Sequence, residues 1–120
     1  MSALSPILRS LEGGRVMFHC PGCKTGHQVT VQEDPNRLGP IWGYNGNPHA
    51  PTFTPSILVR GTQRLTHDEV ARIMAGEEIQ PVPLVCHSFV TDGQIQFLGD
   101  CTHSLAGQTV PLPSDLWEYP

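Results

Sequence analysis

Two cysteines separated by Pro and Gly, Cys20 and Cys23, form the pattern in this sequence that most clearly carries chemistry. A Cys-x-x-Cys turn places two thiolates within reach of one zinc ion, since the glycine lets both sulfur atoms point the same way. The only further cysteines are Cys86 and Cys101, and His103 follows closely. The sequence therefore predicts one tetrahedral zinc site per chain, with Cys20, Cys23 and Cys86 among its ligands.

A predicted hairpin around Asp92-Gly93 decides which residues can complete that site. Asp-Gly between two apolar runs is typical of a two-residue hairpin loop. With this loop, Cys86 shares a strand face with Cys101 and His103, provided that the second strand stays extended. Both residues remain candidates for the fourth ligand.

The same pairing places His87 on the opposite face of the hairpin, diagonal to Asp100. This position disfavours His87 as a metal ligand. A histidine beside a carboxylate can serve as an oriented general base, because the carboxylate sets its tautomer. A hydrogen-bonded pair that only braces the zinc loop is the other interpretation, since such pairs are normal around zinc.

The elements that position these residues are predicted to be short strands. Alternating apolar residues over Arg15–Cys20 and His27–Gln32 predict two strands, so that the first cysteine pair lies at a hairpin tip. The segment Thr66–Glu69 reads as a capping box that opens a helix of about ten residues. We expect a mainly β fold: a small zinc-stabilised domain of short antiparallel strands and hairpins with one short helix.

The composition fits one domain. The chain has 120 residues, within the usual single-domain range, and its twelve Gly and twelve Pro predict frequent turns. We expect residues 1–120 to form a single zinc-binding β domain. About 12 residues at the N-terminus and about 6 at the C-terminus are expected to be loosely held.

Charge and hydropathy exclude several classes of partner. A net charge of −4 and seven scattered Lys and Arg disfavour nucleic acid. No apolar run approaches the length of about 20 residues that a membrane span requires, and the first residues lack the apolar core of a secretory signal. We expect a cytoplasmic protein without membrane contact, whose cysteines are reduced.

Five segments together carry a family resemblance: Cys20–Cys23, Trp42–Gly46, Pro51–Ser56, Cys86–Gly93 and Ile95–Val110. The sequence resembles a family of small phage and prophage proteins of uncharacterised function that are often labelled ammonia monooxygenase. That label names a membrane-embedded copper assembly, whereas this chain has neither a predicted span nor a His-rich copper site. The resemblance implies a metal-binding domain in which the motif Asp-x-x-His, here Asp100 to His103, recurs. It favours His103 over Cys101 as the fourth ligand.

Two functions are consistent with these motifs and with the resemblance. We expect a phage-encoded structural zinc domain that acts as an adaptor toward a host or phage protein through the surface near Trp42–Ser56, in the cytoplasm of the bacterial host. Similar domains accompany bacterial ubiquitin-like conjugation genes, which fits an adaptor. The alternative is a zinc-dependent hydrolase in which His87 and Asp100 handle protons. Thiolate-rich sites are usually closed and structural, which favours the adaptor.

Overall fold

The computed structural model describes residues 2–36, 39–62 and 65–114. In this part of the chain, nine strands form two antiparallel sheets. The first sheet contains, in order, β1 (Ser2–Ala3), β2 (Arg9–Leu11), β3 (Arg15–Cys20) and β4 (Thr25–Thr30). The second contains, in order, β5 (Gly43–Tyr44), β6 (Phe53–Thr62), β7 (Pro83–Thr91), β8 (Gln94–Phe97) and β9 (Thr109–Pro111). The predicted mainly β class is confirmed.

The core lies between the two sheets, because β3, β4, β7 and β8 bury alternate side chains. Strand β3 buries Val16, Phe18 and Cys20 and leaves the residues between them partly exposed. The second sheet contributes the buried side chains of Phe53, Ile57, Cys86, Val90, Ile95 and Phe97. The rings of Phe18 and Phe53 stack with their centroids 6.2 Å apart, which joins the two sheets.

The hairpin that connects β7 and β8 has the predicted two-residue loop. Asp92 and Gly93 both have positive φ angles, 50° and 79°, as a turn of the type that suits twisted antiparallel strands requires. Thr91 therefore pairs with Gln94, and Ser88 pairs with Phe97. This is the register from which we predicted that Cys86 and His87 lie on opposite faces of the hairpin.

Helix α1 (His67–Met74) lies between β6 and β7 in sequence and begins with the predicted capping box. The Thr66 hydroxyl accepts a hydrogen bond from the Glu69 backbone N–H, and the Glu69 carboxylate accepts one from the Thr66 N–H. The helix has eight residues and buries none of them. Among the described residues, no helix has both the length and the apolar character needed to cross a membrane.

The N-terminal segment contributes two strands and one core residue. Strands β1 and β2 extend the first sheet, and Leu8 is completely buried in the core. The Ser5 hydroxyl accepts hydrogen bonds from the backbone N–H groups of Ile7 and Leu8, which closes the turn before β2. The C-terminal segment predicted to be loose, residues 115–120, lies outside the described residues.

Candidate functional site

The turn between β3 and β4 presents the first two thiols. The backbone N–H of Lys24 donates to the Cys20 carbonyl, and the backbone N–H of Cys23 donates to the Cys20 sulfur, at 2.8 and 3.4 Å. The ring of His103 lies against this turn, so close to Gly22 that a Cβ there would lie 2.3 Å from a ring atom. A side chain at position 22 would therefore displace the His103 ring, which favours glycine between the two cysteines.

Four side chains converge beneath this turn and could hold a metal ion such as zinc: Cys20, Cys23, His27 and Cys86. Their ligand atoms all lie within 4.8 Å of one another. The Cys20 and Cys86 sulfur atoms are 3.9 Å apart. Tetrahedral zinc with Zn–S bonds of about 2.3 Å requires about 3.8 Å between two sulfurs, so the arrangement fits that ion. We call these four residues the metal group.

His27 is a member of the metal group that sequence reasoning missed. It pairs with Phe18 across β3 and β4, and Cys20 pairs with Thr25, so His27 and Cys20 share the buried face. Its side chain is 4 % exposed, and neither ring nitrogen has a hydrogen-bond partner among the described residues. Burial, with a smaller effect of nearby His103, lowers the pKa of His27 to about 4. The ring is therefore neutral and free to bind a cation at neutral pH.

The thiols of the metal group are electrostatically coupled. Hydrogen bonding from Cys86 and from the backbone around Cys23 lowers the pKa of Cys20 to about 6, although burial opposes this effect. Hydrogen bonding to Cys20 and burial raise the pKa of Cys86. Burial and the charge of Cys20 raise the pKa of Cys23 to about 11. Cys20 is therefore the thiol of this group that loses its proton most easily, and a bound divalent ion would favour the thiolate form of all three.

The two predicted candidates for the fourth ligand also lie close to Cys86. Ligand atoms of Cys86, Cys101 and His103 also lie within 4.8 Å of one another. Strand β8 ends at Phe97, so both candidates come from the following turn instead of an extended strand. The His103 ring packs edge-on against Phe97, with 4.4 Å between the ring centroids. The predicted ligands Cys20, Cys23 and Cys86 thus lie together. Cys101 and His103 lie close to Cys86.

A second constellation lies on the opposite face of β7. The His87 Nδ1 atom lies 3.2 Å from the Asp100 Oδ2 atom, as the hairpin register indicated. The His87 Nε2 atom lies 3.0 Å from the hydroxyl oxygen of Ser56. A hydroxyl, an imidazole and a carboxylate in this order form the hydrogen-bonded series used by serine hydrolases. Neither His87 nor Asp100 belongs to the metal group.

Ser56 was not singled out by sequence reasoning. It lies in β6 at an irregularity: Phe53 pairs with Val90 and Ile57 with Ser88, so three residues of β6 oppose one residue of β7. Bulges of this kind turn side chains out of the regular alternation and recur next to active sites. The signal in the sequence was Pro55, which cannot donate to a ladder and directly precedes Ser56.

The backbones of Ser56 and His87 make further hydrogen bonds. The indole N–H of Trp42 donates to the Ser56 carbonyl, 3.3 Å away, while the Trp42 backbone N–H donates to the carbonyl of Thr30 in the first sheet. The Cys101 thiol donates to the His87 carbonyl and accepts from the His87 backbone N–H, both at 3.2 Å. The backbones of Ser56 and His87 are therefore each attached to a neighbouring part of the fold.

Most of the chain matches a known protein family. Residues 5–98 match the family model described as "Bacterial ubiquitination-like system serine protease (BubE)". The four residues of the metal group, Ser56 and His87 lie within the matched range, whereas Asp100 lies just beyond it. No curated protein and no solved structure matches this sequence.

Proposed function

The chain belongs to the BubE family, and from this premise we propose that it is a serine protease that acts in a bacterial ubiquitination-like system. The observation that carries the proposal is the series Ser56–His87–Asp100, with 3.0 and 3.2 Å between successive polar atoms. Both distances lie within the range expected for a nucleophile, its general base and the group that orients the base.

Each residue of this triad has a distinct role in peptide hydrolysis. The Ser56 oxygen attacks the peptide carbonyl carbon while its proton passes to His87 Nε2. Asp100 accepts a hydrogen bond from Nδ1–H, which keeps Nε2 unprotonated before attack and stabilises the imidazolium afterwards. The C–N bond then breaks and His87 gives its proton to the leaving amine. Water hydrolyses the acyl–enzyme ester by the same route and regenerates the Ser56 hydroxyl.

The order of the three residues along the chain does not weaken this assignment. Unrelated serine hydrolases carry the same three side chains in three different chain orders, because only their geometry in the folded protein matters. The order here, Ser, His and Asp, follows from the arrangement of β6, β7 and the turn after β8. In this assignment, a serine hydroxyl takes the place of the zinc-bound nucleophile expected in a zinc-dependent hydrolase. His87 and Asp100 keep the proton-handling role that the sequence predicted for them.

We assign the metal group to a structural zinc ion. The ion would connect the β3–β4 turn to β7, and three thiols with one imidazole make a closed tetrahedral site. Cys86 directly precedes His87, and Cys101, which directly follows Asp100, bonds to the His87 backbone. A bound ion would therefore support the segment that carries His87 and, through it, the segment that carries Asp100, while proton transfer stays with the triad.

We assign the fourth ligand to His27 instead of His103 or Cys101. The backbone N–H of Leu105 donates to Nδ1 of His103, so a neutral His103 ring carries its proton on Nε2 and has no free lone pair. Cys101 already uses its thiol on the His87 backbone. His27 has two unpartnered nitrogens in a buried position, and a metal ion would satisfy one of them.

We expect His27→Ala to lower zinc affinity by more than about 100-fold, whereas His103→Ala and Cys101→Ser should each cost less, as groups outside the coordination shell do. Competition with a chromogenic chelator measures the three affinities. His27→Cys should restore tight binding, because it supplies a fourth thiolate. A larger loss from His103→Ala than from His27→Ala would reassign the ligand to His103.

The direct test of the triad is His87→Ala. We expect this variant to keep its zinc, since His87 lies outside the metal group, and to react with a fluorophosphonate at Ser56 at least about 100-fold more slowly. Elemental analysis and labelling kinetics measure the two properties on one sample. The matched control is His49→Ala, which removes an exposed histidine that does not belong to the triad. Equal labelling rates in the two variants would contradict a base role for His87.

An adaptor role is the second candidate, and helix α1 favours it. The apolar side chains of Val70, Ile73 and Met74 lie on this helix and are exposed, so the helix has an apolar surface for a protein partner. A protease of a conjugation system can combine such a contact with cleavage. A cytoplasmic location in a bacterial host fits the four unpaired cysteines, and a phage origin rests on the sequence resemblance alone.

A further inference from the structure

The edge of β6 beyond Ser56 has backbone groups that no described residue binds. On the far side of β7, the Val85 N–H and carbonyl bond to Thr102, and the His87 N–H and carbonyl bond to Cys101 and Leu98. These two residues therefore turn their backbone groups away from β6. In an antiparallel pair of strands, the backbone N–H and carbonyl groups of two opposite residues either point toward each other or both point away from the partner strand.

The partners of those residues on β6 are Leu58, opposite His87, and Arg60, opposite Val85. Their N–H and carbonyl groups consequently point to the outer edge of the second sheet. Strand β5 covers this edge only at Phe53 and Thr54, and the Trp42 indole covers the Ser56 carbonyl. Among the described residues, the edge from Leu58 to Arg60 is open.

Building on the protease function proposed above, we propose that the acyl side of the substrate binds here as an extended strand added to β6. An extended peptide presents donors and acceptors at the spacing of about 6.8 Å that separates Leu58 from Arg60, so it can bond to both residues. Few other ligands carry this repeat. The substrate class is therefore an unfolded segment of a protein, recognised mainly through its backbone.

The position of the triad determines which side of the substrate lies on this edge. His87 stands on β7 and protonates the leaving amine, so the amine side of the scissile bond lies toward β7. The acyl side then lies away from β7, where the open edge is. Two exposed apolar side chains flank Ser56 on the triad face, Leu58 at 45 % and Phe89 at 42 % exposure. They offer contact to substrate side chains above the sheet.

Peptide phosphonates test this inference because they react with an activated serine and need no known substrate. Attack by the Ser56 oxygen on phosphorus forms a P–O bond as a phenoxide leaves, and the hydroxyl proton passes through His87 to the phenoxide. The probes are diphenyl phosphonates of acetyl-alanine and of acetyl-tetra-alanine. If the peptide binds along this edge, the longer probe should label the wild-type protein at least about tenfold faster than the shorter probe, because it adds two or more hydrogen bonds.

Two features distinguish strand addition from any other gain of contact. N-methylation of the longer probe should slow labelling at every second alanine only, because alternate residues of a strand face β6. Arg60→Pro removes an N–H that points to solvent and spares the bonds to β7, so the fold tolerates it. The rate ratio between the two probes should be at least about fivefold lower in Arg60→Pro than in the matched variant Arg60→Ala, which keeps the N–H.

The outcomes separate the two proposals. A ratio near one in the wild type, or equal effects of N-methylation at all positions, would overturn strand addition while labelling of Ser56 still supports the protease. If neither probe labels Ser56, the protease proposal fails. The edge is then judged by amide resonances during titration with acetyl-tetra-alanine amide: shifts at Leu58 and Arg60 support a peptide-binding edge, and their absence overturns it.

Discussion

Ser56→Ala should reduce peptide hydrolysis by about 10⁴-fold or more while the protein keeps its fold and its metal. The reason is that a triad acts as a unit, so loss of the nucleophile removes the covalent route entirely. The hydroxyl makes one described hydrogen bond, to His87 Nε2, and its loss should cost only about 1 kcal/mol of stability. Turnover of a peptide substrate, the melting temperature and the zinc content of one preparation measure all three effects.

The matched control for this prediction is Ser88→Ala. Ser88 directly follows His87 in sequence, but its side chain is buried on the opposite face and its hydroxyl has no partner among the described residues. Removal of an unsatisfied buried hydroxyl is expected to be neutral or stabilising. Intact mass spectrometry after fluorophosphonate treatment should show one adduct in Ser88→Ala and none in Ser56→Ala. An adduct of unchanged yield in Ser56→Ala would identify a different nucleophile and refute the triad.

Cys86→Ser should unfold the domain. Cys86 is fully buried and belongs both to the metal group and to the set with Cys101 and His103, so its loss damages the site whichever fourth ligand is used. In a small metal-binding domain, the free energy of metal binding is largely free energy of folding, and structural zinc contributes about 10–16 kcal/mol. Cys20→Ser should have the same effect.

We expect about one zinc per chain in the wild-type protein, and we expect the wild-type protein to fold only when zinc is bound.

Chelation extends this prediction to activity. A strong chelator should remove the metal and abolish fluorophosphonate labelling of Ser56, because the ion supports the segments that hold His87 and Asp100. Added zinc should restore both the melting transition and the labelling. A metal-free wild-type protein with a native melting transition would contradict the zinc assignment.

The hairpin explains why part of the site was predictable. Turn chemistry at Asp92-Gly93 sets the β7–β8 register within a few residues, and strand periodicity then assigns each side chain to a face. His87 and Cys86 were therefore placed on opposite faces from sequence alone. Their predicted neighbours Asp100, Cys101 and His103 are found beside them, but these three follow the end of β8 at Phe97, so a turn and not an extended strand brings them there. The Cys-x-x-Cys turn was predictable for the same reason, since both ligands belong to one local structure.

Ser56 and His27 show what local patterns could not supply. Ser56 meets His87 across 31 residues, and the register between β6 and β7 follows from the packing of Ile57 and Phe53 against the first sheet, since no short turn joins the two strands. His27 reaches Cys86 only because the two sheets pack face to face. The sequence by itself determined the mainly β class, the cysteine turn, the β7–β8 hairpin and the pairing of His87 with Asp100. The tertiary structure brought Ser56 to His87 and a histidine to the metal group, because contacts between distant strands depend on packing that no single segment encodes.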